Sequence, residues 1–261
     1  MSGPIQSADR ALRILQVVAD HGHPLGLREV SQLVGLHAST TYRLLATLRA
    51  RGFVEQESAG GRYRVGIQAF RVGNAFLAAA DLRDRLRPVL ATLAARSRET
   101  ANLVILHDTE AVYIDHIVSV NITKLFTQIG QRVPLHCTAV GKVLLAYAPD
   151  QEDLLRRLRL RRFTPYTITT AAELRGALAA VREAGYAVDR EEHELGVACV
   201  AGPVCDADGR VVAAVGISGP SARVLPRLAH MQRHVRAAVV AASRLMGAST
   251  LPRPGGAEVP R

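Results

Sequence analysis

The chain has 261 residues, of which 48% are hydrophobic and only 4% aromatic, and its formal net charge is +10 at pH 7. No apolar run reaches the roughly 18 residues that a membrane span needs, and charged residues such as Asp9 and Arg10 interrupt the first apolar stretch, which excludes a signal peptide. We therefore expect a cytoplasmic protein without a membrane segment. The positive charge favours a polyanionic partner only weakly, because nearly all the basic residues are arginine, as a GC-rich genome alone would produce.

Residues 1–66 predict three short helices followed by a hairpin. Apolar residues recur at helical spacing over 7–20, again from Leu27 to Val34, and a third time within 37–54. Gly35 is placed to end the second helix as a C-cap. The segment 52–66 alternates short β-type pieces around a Gly-rich turn at 59–61. Helix, turn, helix and basic hairpin in this order predict a winged helix-turn-helix domain.

In such a domain the second helix of the helix-turn-helix enters the major groove, with its N-terminal side chains nearest the bases. That helix begins with small hydrogen-bonding residues, and an arginine follows one turn later. The DNA-binding candidates are Ser39, Thr40, Tyr42, Arg43, Arg62 and Arg64. We assign Arg43 to a base, and Arg62 and Arg64, which alternate with Tyr63 on the hairpin, to the DNA backbone. The alternative is that Ser39 caps the helix and the arginines form a solvated face.

The remaining chain predicts a linker helix over 67–80, apolar enough to pack against a second copy of itself, and a second domain over 81–248. In that domain we expect helices near 82–98, 138–147, 150–158, 171–185 and 224–247. Strands are predicted within 100–108 and 111–120 and on both sides of an Asp-Ala-Asp-Gly turn at 206–209, with a weaker candidate at 123–131. This is an α+β sandwich, and the Pro/Gly-rich tail 249–261 is expected to be disordered.

Six segments together resemble the IclR-type transcriptional regulators. They read IQSADRALRILQVVAD, LREVSQLVGLHASTTYRLLATLRARGFVE, GRYRVG, VPLHCTAVGKVLLAY and AGYAVDREEHELGVACVAGPVCDADGRVVAAVGISGP, followed by the closing helix. The resemblance runs from Ile5 to Met246. It implies an N-terminal winged helix-turn-helix, a C-terminal GAF-like α/β domain that binds a small effector, a homodimer or tetramer, and a near-palindromic operator in double-stranded DNA.

The resemblance also implies an effector site formed by Ala139, Val140, Asp189, Cys199 and Ser218. Backbone N–H groups at the start of the helix at 138–147 would meet an effector carboxylate. Two departures from some family members, Gly216 in place of serine and Ala139-Val140 in place of Gly-Ala, favour a bulkier or more apolar acid, such as an aromatic one, over glyoxylate. Taken alone, Asp189 also fits a surface turn, Cys199 a core position, and Ser218 a strand end.

Two other functions compete with a ligand-controlled regulator, which we expect to be a repressor. His136, Cys137 and Asp189 are the residue types of a cysteine-dependent acyl-transfer enzyme, but adjacent His136 and Cys137 point apart on a strand and do not stack on a helix. The three cysteines lack metal-ligand spacing, so we expect no metal and no cofactor. An architectural DNA binder without a ligand would not need about 165 further residues. We therefore expect the effector to shift the population of domain arrangements and so change operator binding.

Overall fold

The structure is a computed structural model that describes residues 5–57, 61–80, 82–118 and 128–249. Three predicted segments lie wholly or mostly outside the described residues: most of the turn at 59–61, most of the weaker strand candidate at 123–131, and the tail from residue 250. The chain divides into two compact units, Met1–Ala80 and Asp81–Arg261. No helix within the described ranges is both long and apolar enough to cross a membrane.

The first unit has the predicted winged helix-turn-helix order. Its elements are α1 (Gln6–Asp20), α2 (Leu27–Val34), α3 (Ala38–Ala50), β1 (Val54–Gln56), β2 (Tyr63–Val65) and α4 (Ile67–Ala80). The strands pair antiparallel, with Val54 opposite Val65. Ile14, Leu45 and Val54, all fully buried, form the core with Tyr63. Gly35 ends α2 as predicted, with φ at +67°, a conformation that suits glycine because it lacks a Cβ.

The second unit is a six-stranded antiparallel sheet with helices on both faces. Its elements are α5 (Leu82–Ser97), β3 (Thr100–His107), β4 (Glu110–Ile117), β5 (Arg132–Pro134), α6 (Ala139–Ala146), α7 (Gln151–Arg157), α8 (Ala171–Ala184), β6 (Ala187–Arg190), β7 (Val197–Cys205), β8 (Val211–Pro220), α9 (Ser221–Val224) and α10 (Leu228–Leu245). The strand order is β5-β4-β3-β8-β7-β6. Gly202 faces α10, whereas its neighbour Ala201 packs in the cluster that contains α6. Since successive strand residues point to opposite faces, α10 and α6 cover opposite sides.

The predicted α+β sandwich is therefore confirmed, with two differences in its elements. The edge strands β5 and β6 were not predicted, because three or four residues are too few for a periodic pattern. The single helix expected over 224–247 is divided into α9, a 3-10 turn at Leu225–Arg227 and α10. Pro226 lies in that turn, where the ring removes a backbone donor that a continuous helix would use.

Two buried carboxylates connect helices to the sheet through ion pairs with arginine. Glu99, just before β3, accepts hydrogen bonds of 2.9 and 2.7 Å from the Arg223 guanidinium of α9. Asp115 of β4 accepts two bonds of 2.7 Å from Arg87 of α5. Both carboxylates are about 1% exposed, so each needs its arginine to offset the cost of leaving water. A side chain at Gly219 would overlap the Glu99 carboxylate, so this approach requires glycine.

Candidate functional site

The outer face of α3 carries the polar residues predicted to meet DNA. Ser39, Tyr42 and Arg43 are exposed, and Thr40 is half-buried. Thr41 between them is fully buried, and its hydroxyl donates to the backbone oxygen of His37 at 3.1 Å. The opposite face of the helix packs in the core of the first unit. The helix therefore offers one continuous polar surface at its N-terminal end.

Ser39 does not cap this helix, so the capping interpretation is wrong. The N-cap position belongs to His37, whose side chain makes no capping hydrogen bond, and Ser39 lies in the first turn with its side chain exposed. The first N–H groups of a helix have no partner inside it. Together with the positive end of the helix dipole, they form a surface suited to a phosphate oxygen.

Arg62 and Arg64 are exposed on either side of the buried Tyr63, and both hold ion pairs within the first unit. Arg62 donates to the backbone oxygen of Pro24 at 2.9 Å and lies 3.4 Å from the Glu29 carboxylate. Arg64 donates to its cross-strand neighbour Glu55 at 3.0 and 3.2 Å. Exposed ion pairs contribute little stability because water screens them. A DNA phosphate can replace either carboxylate at small cost.

The five residues predicted to bind an effector all line one cavity of about 60 Å³ in the second unit. We call it the interior cavity. Strand register explains the position of three of these five residues: Asp189 of β6 lies opposite Cys199 of β7, which lies opposite Ser218 of β8. The three side chains therefore form one row across the sheet. Ala139 and Val140 approach this row from the first turn of α6.

Other lining residues were missed by the sequence analysis, and they include Asn102, Tyr113, Gln131, Thr138 and His193. Asn102 extends the row onto β3, and its amide donates to the Ser218 hydroxyl at 2.9 Å. The signal was an asparagine within the otherwise apolar strand TANLVILH, since a buried polar side chain needs a partner.

The N-terminus of α6 is held tightly against the turn that precedes it. Thr138 caps the helix: its hydroxyl accepts from the Gly141 N–H at 3.1 Å and donates to the Pro134 oxygen at 2.7 Å. A Cβ at Gly141 would lie only 2.6 Å from the Cα of Leu135, so no larger residue fits there. The N–H groups at the start of α6 are thus fixed beside the cavity.

A buried ion pair joins α6 to the loop that follows β6. The Lys142 ammonium donates to the Glu192 carboxylate at 2.5 Å and to the Val188 oxygen at 2.8 Å. Glu192 in turn donates its backbone N–H to Asp189 at 2.8 Å. A single lysine within the apolar helix AVGKVLLA was the sequence signal for this pair. The pair fixes Asp189 and the start of α6 relative to each other.

Burial shifts the pKa of four titratable groups of the cavity toward their neutral forms. It raises the pKa of Asp189 to about 7, although the Glu192 N–H opposes that change. Burial also raises the pKa of the Cys199 thiol and of the Tyr113 phenol, and lowers the pKa of His193. Near neutral pH the Cys199 thiol, the Tyr113 phenol and the His193 ring are therefore uncharged hydrogen-bonding groups, and Asp189 is about half protonated.

Comparison with known proteins places both units in one family. The model described as bacterial transcriptional regulator IclR C-terminal matches residues 74–244, and the IclR helix-turn-helix domain matches residues 7–58. The chain belongs to the IclR family of bacterial transcriptional regulators. Like its relatives in the IclR family, it is a DNA-binding regulator of transcription and not an enzyme.

Individual IclR-family proteins match nearly the whole chain. It is 38% identical to the HTH-type transcriptional regulator XynR of Escherichia coli over 93% of this chain and 98% of that protein. It is 36% identical to the transcriptional repressor IclR of the same organism, over 85% of this chain and 83% of that one. An IclR homologue from Microbacterium hydrocarbonoxydans, solved in complex with 4-hydroxybenzoate, shares the fold with a TM-score of 0.80 at 23% identity, covering 92% of this chain and 99% of that chain.

The geometry gives a physical reason why the acyl-transfer hypothesis is wrong. Burial raises the pKa of Cys137 to about 12, so the thiol is protonated and a poor nucleophile. The Nε2 atom of His136 lies 3.0 Å from the backbone oxygen of Arg161 and is occupied there. Asp189 accepts its hydrogen bond from the Glu192 N–H. Cys137, His136 and Asp189 therefore do not act as a nucleophile, base and orienting acid.

Proposed function

We propose that this regulator is a repressor whose operator affinity is controlled by a small carboxylic acid bound in the interior cavity. The observation that carries the proposal is the row of Asp189, Cys199 and Ser218 facing the first turn of α6. Polar groups converge there in an otherwise apolar interior, which is typical of a ligand site. Relatives that match over most of the chain are named repressors.

The chemistry of the walls favours an acid with an apolar body. The N–H groups of Ala139 and Val140 suit a carboxylate, and a protonated Asp189 can donate to the same group. Val133, Val140 and Ile217 supply apolar walls. A side chain at Gly216 would come within 2.5 Å of the Val200 oxygen, so this chain has no room for a serine hydroxyl at that position. These apolar walls favour an aromatic acid over glyoxylate, and the cavity of about 60 Å³ must widen to admit the ring.

At the DNA, Ser39, Thr40, Tyr42 and Arg43 would meet the major groove, while Arg62 and Arg64 would hold the backbone. We propose that two copies bind a near-palindromic operator, with half-sites one helical turn apart or a multiple of that. Exposed apolar side chains on α4 support the dimer: Ile67 and Phe70, which lie one turn apart on the same side of the helix, are each about 60% exposed. Such a surface is stabilised when a second copy covers it.

Titration calorimetry on the full chain tests the effector site. We expect benzoate or 4-hydroxybenzoate to bind more tightly than glyoxylate, because the apolar walls contact the ring. Ser218→Ala, which removes a hydroxyl from the cavity wall, should weaken binding, whereas Ser221→Ala at the start of α9, outside the cavity lining, should not. Tight binding of glyoxylate without any binding of aromatic acids would overturn the choice of ligand. Binding unaffected by Ser218→Ala would argue against the site.

A further inference from the structure

A second cavity opens on the surface of the second unit and shares no lining residue with the interior cavity. Its volume is about 340 Å³. The walls come from the start of β4, the residues after β5 and the segment that follows α7. They include Glu110, His136, Arg157, Arg159, Arg161 and Phe163. We call it the outer cavity.

The segment that forms one wall is strongly basic. Residues 156–162 read RRLRLRR, five arginines in seven positions without an acidic residue. Arg157 is already neutralised, because it pairs with Asp108 and lies 3.7 Å from Asp153. Within the described ranges, no carboxylate forms an ion pair with the exposed Arg159 or Arg161.

The carboxylate on the opposite wall does not supply the missing negative charge. Glu110 pairs with Arg132 at 3.1 Å, across the β4–β5 ladder. The outer cavity is therefore lined by two guanidinium groups whose charge no neighbouring carboxylate offsets. Guanidinium groups bind phosphate and carboxylate oxygens through paired, charge-assisted hydrogen bonds.

An aromatic wall stands beside these arginines. The Phe163 ring is 40% exposed, its centroid lies 6.0 Å from that of His136, and the Arg161 guanidinium lies 5.6 Å from it. Burial lowers the pKa of His136, so this ring is uncharged near neutral pH. The His136 Nε2 atom lies 3.0 Å from the Arg161 oxygen and holds the basic segment in place. Exposed aromatic rings provide a stacking surface for a second flat ring.

We propose that the outer cavity binds a nucleoside phosphate, whose phosphate groups contact Arg159 and Arg161 and whose base stacks on Phe163. The volume suits a ligand of this size. The same aromatic ring also contacts a residue that lines the interior cavity: the ring centroid of His193 lies 5.0 Å from that of Phe163. Pro134, Leu135 and His136 line the outer cavity, and Thr138 lines the interior one. One short segment therefore contacts both ligands, which is a physical route for coupling between them.

Calorimetry of the full chain with ATP, tripolyphosphate and adenosine tests the binding. We expect ATP to bind most tightly, because it alone has both the phosphate groups that contact the arginines and the base that stacks on Phe163. Arg159→Ala combined with Arg161→Ala should weaken ATP by about tenfold or more. The matched control combines Arg156→Ala with Arg162→Ala, which removes two charges from the same segment at residues outside the cavity lining, and should leave ATP binding nearly unchanged. Phe163→Leu should weaken ATP but not tripolyphosphate, because only the nucleotide stacks on the ring.

Three results would overturn the proposal. The first is a lack of ATP binding to the unmodified chain. The second is an equal loss in the two double variants, which would mean non-specific attraction to a charged segment. The third is loss of DNA binding in the Arg159/Arg161 double variant without any effect on ATP, which would identify the segment as a nucleic-acid surface. None of these measurements uses the acid expected in the interior cavity, so this proposal and the effector assignment fail separately.

Discussion

Asp189 lies between Cys199 on the next strand and the Glu192 backbone N–H, and burial raises the pKa of its carboxyl to about 7, from 3.8. Because the pKa is higher in the folded state than in the unfolded state, the contribution of this carboxyl to the free energy of unfolding is largest below pH 3.8. That contribution is lost as the pH rises through 7. We expect Asp189→Asn to increase the free energy of unfolding at pH 8 by up to about 4 kcal/mol, and by less than half of that at pH 5.

Urea denaturation at the two pH values measures this difference. Asp208→Asn provides the control, because Asp208 is an exposed turn residue and its replacement should change stability little at either pH. An increase of the same size at pH 5 and pH 8 would contradict the assignment, since a neutral amide differs from Asp189 most strongly where the carboxyl is ionised.

The two DNA-facing elements are expected to act differently. Arg43 lies on α3, the helix that we propose enters the major groove, whereas Arg64 lies on the hairpin, which we propose contacts the DNA backbone. Arg43→Ala should cost about 1–3 kcal/mol at the operator and relax base preference, because it removes a contact to a base edge. Arg64→Ala should weaken all DNA sequences alike and reduce the salt dependence of binding.

Fluorescence anisotropy with operator, mutated operator and unrelated DNA separates these effects. Arg236→Ala, an exposed arginine on α10 of the second unit, is the matched control for removing one positive charge. If Arg43→Ala preserved both affinity and base preference, the recognition helix would have to be another element. If Arg64→Ala changed base preference, the hairpin would be reading sequence rather than phosphate.

Which elements the sequence could predict depended on whether their signal was local. The helices and the two long strands around the 206–209 turn follow from apolar period and turn chemistry, and the structure has them. β5 and β6 lacked a period, and Pro226 was overlooked as a helix break. The row of Asp189, Cys199 and Ser218 depends on the register of three strands, which no local pattern contains. Those residues were proposed only because the chain resembles a family.

At the scale of the whole molecule, the proposed effector site and the proposed DNA surface lie in different units, so the two binding events would be linked only by a coupling free energy. A ligand can shift operator binding by no more than its difference in affinity between the two states of the protein. Protonation of Asp189 also changes the affinity of the protein for its ligand. A ligand whose carboxylate accepts a hydrogen bond from Asp189 binds well only when Asp189 is protonated. The affinity for that ligand should therefore fall as the pH rises through 7.

Release of the operator should therefore require a higher concentration of the carboxylic-acid ligand at higher pH. With benzoate as the ligand, we expect the concentration that releases half of the operator to rise between pH 6 and pH 8, by at most about tenfold per unit above 7. Asp189→Asn should remove this dependence, because its amide donates at every pH. Anisotropy titrations of operator-bound protein at pH 6, 7 and 8 measure it. Arg43→Ala, assayed at a protein concentration that restores operator binding, should keep the pH dependence. A release concentration independent of pH in the unmodified chain would show that Asp189 does not donate to the ligand.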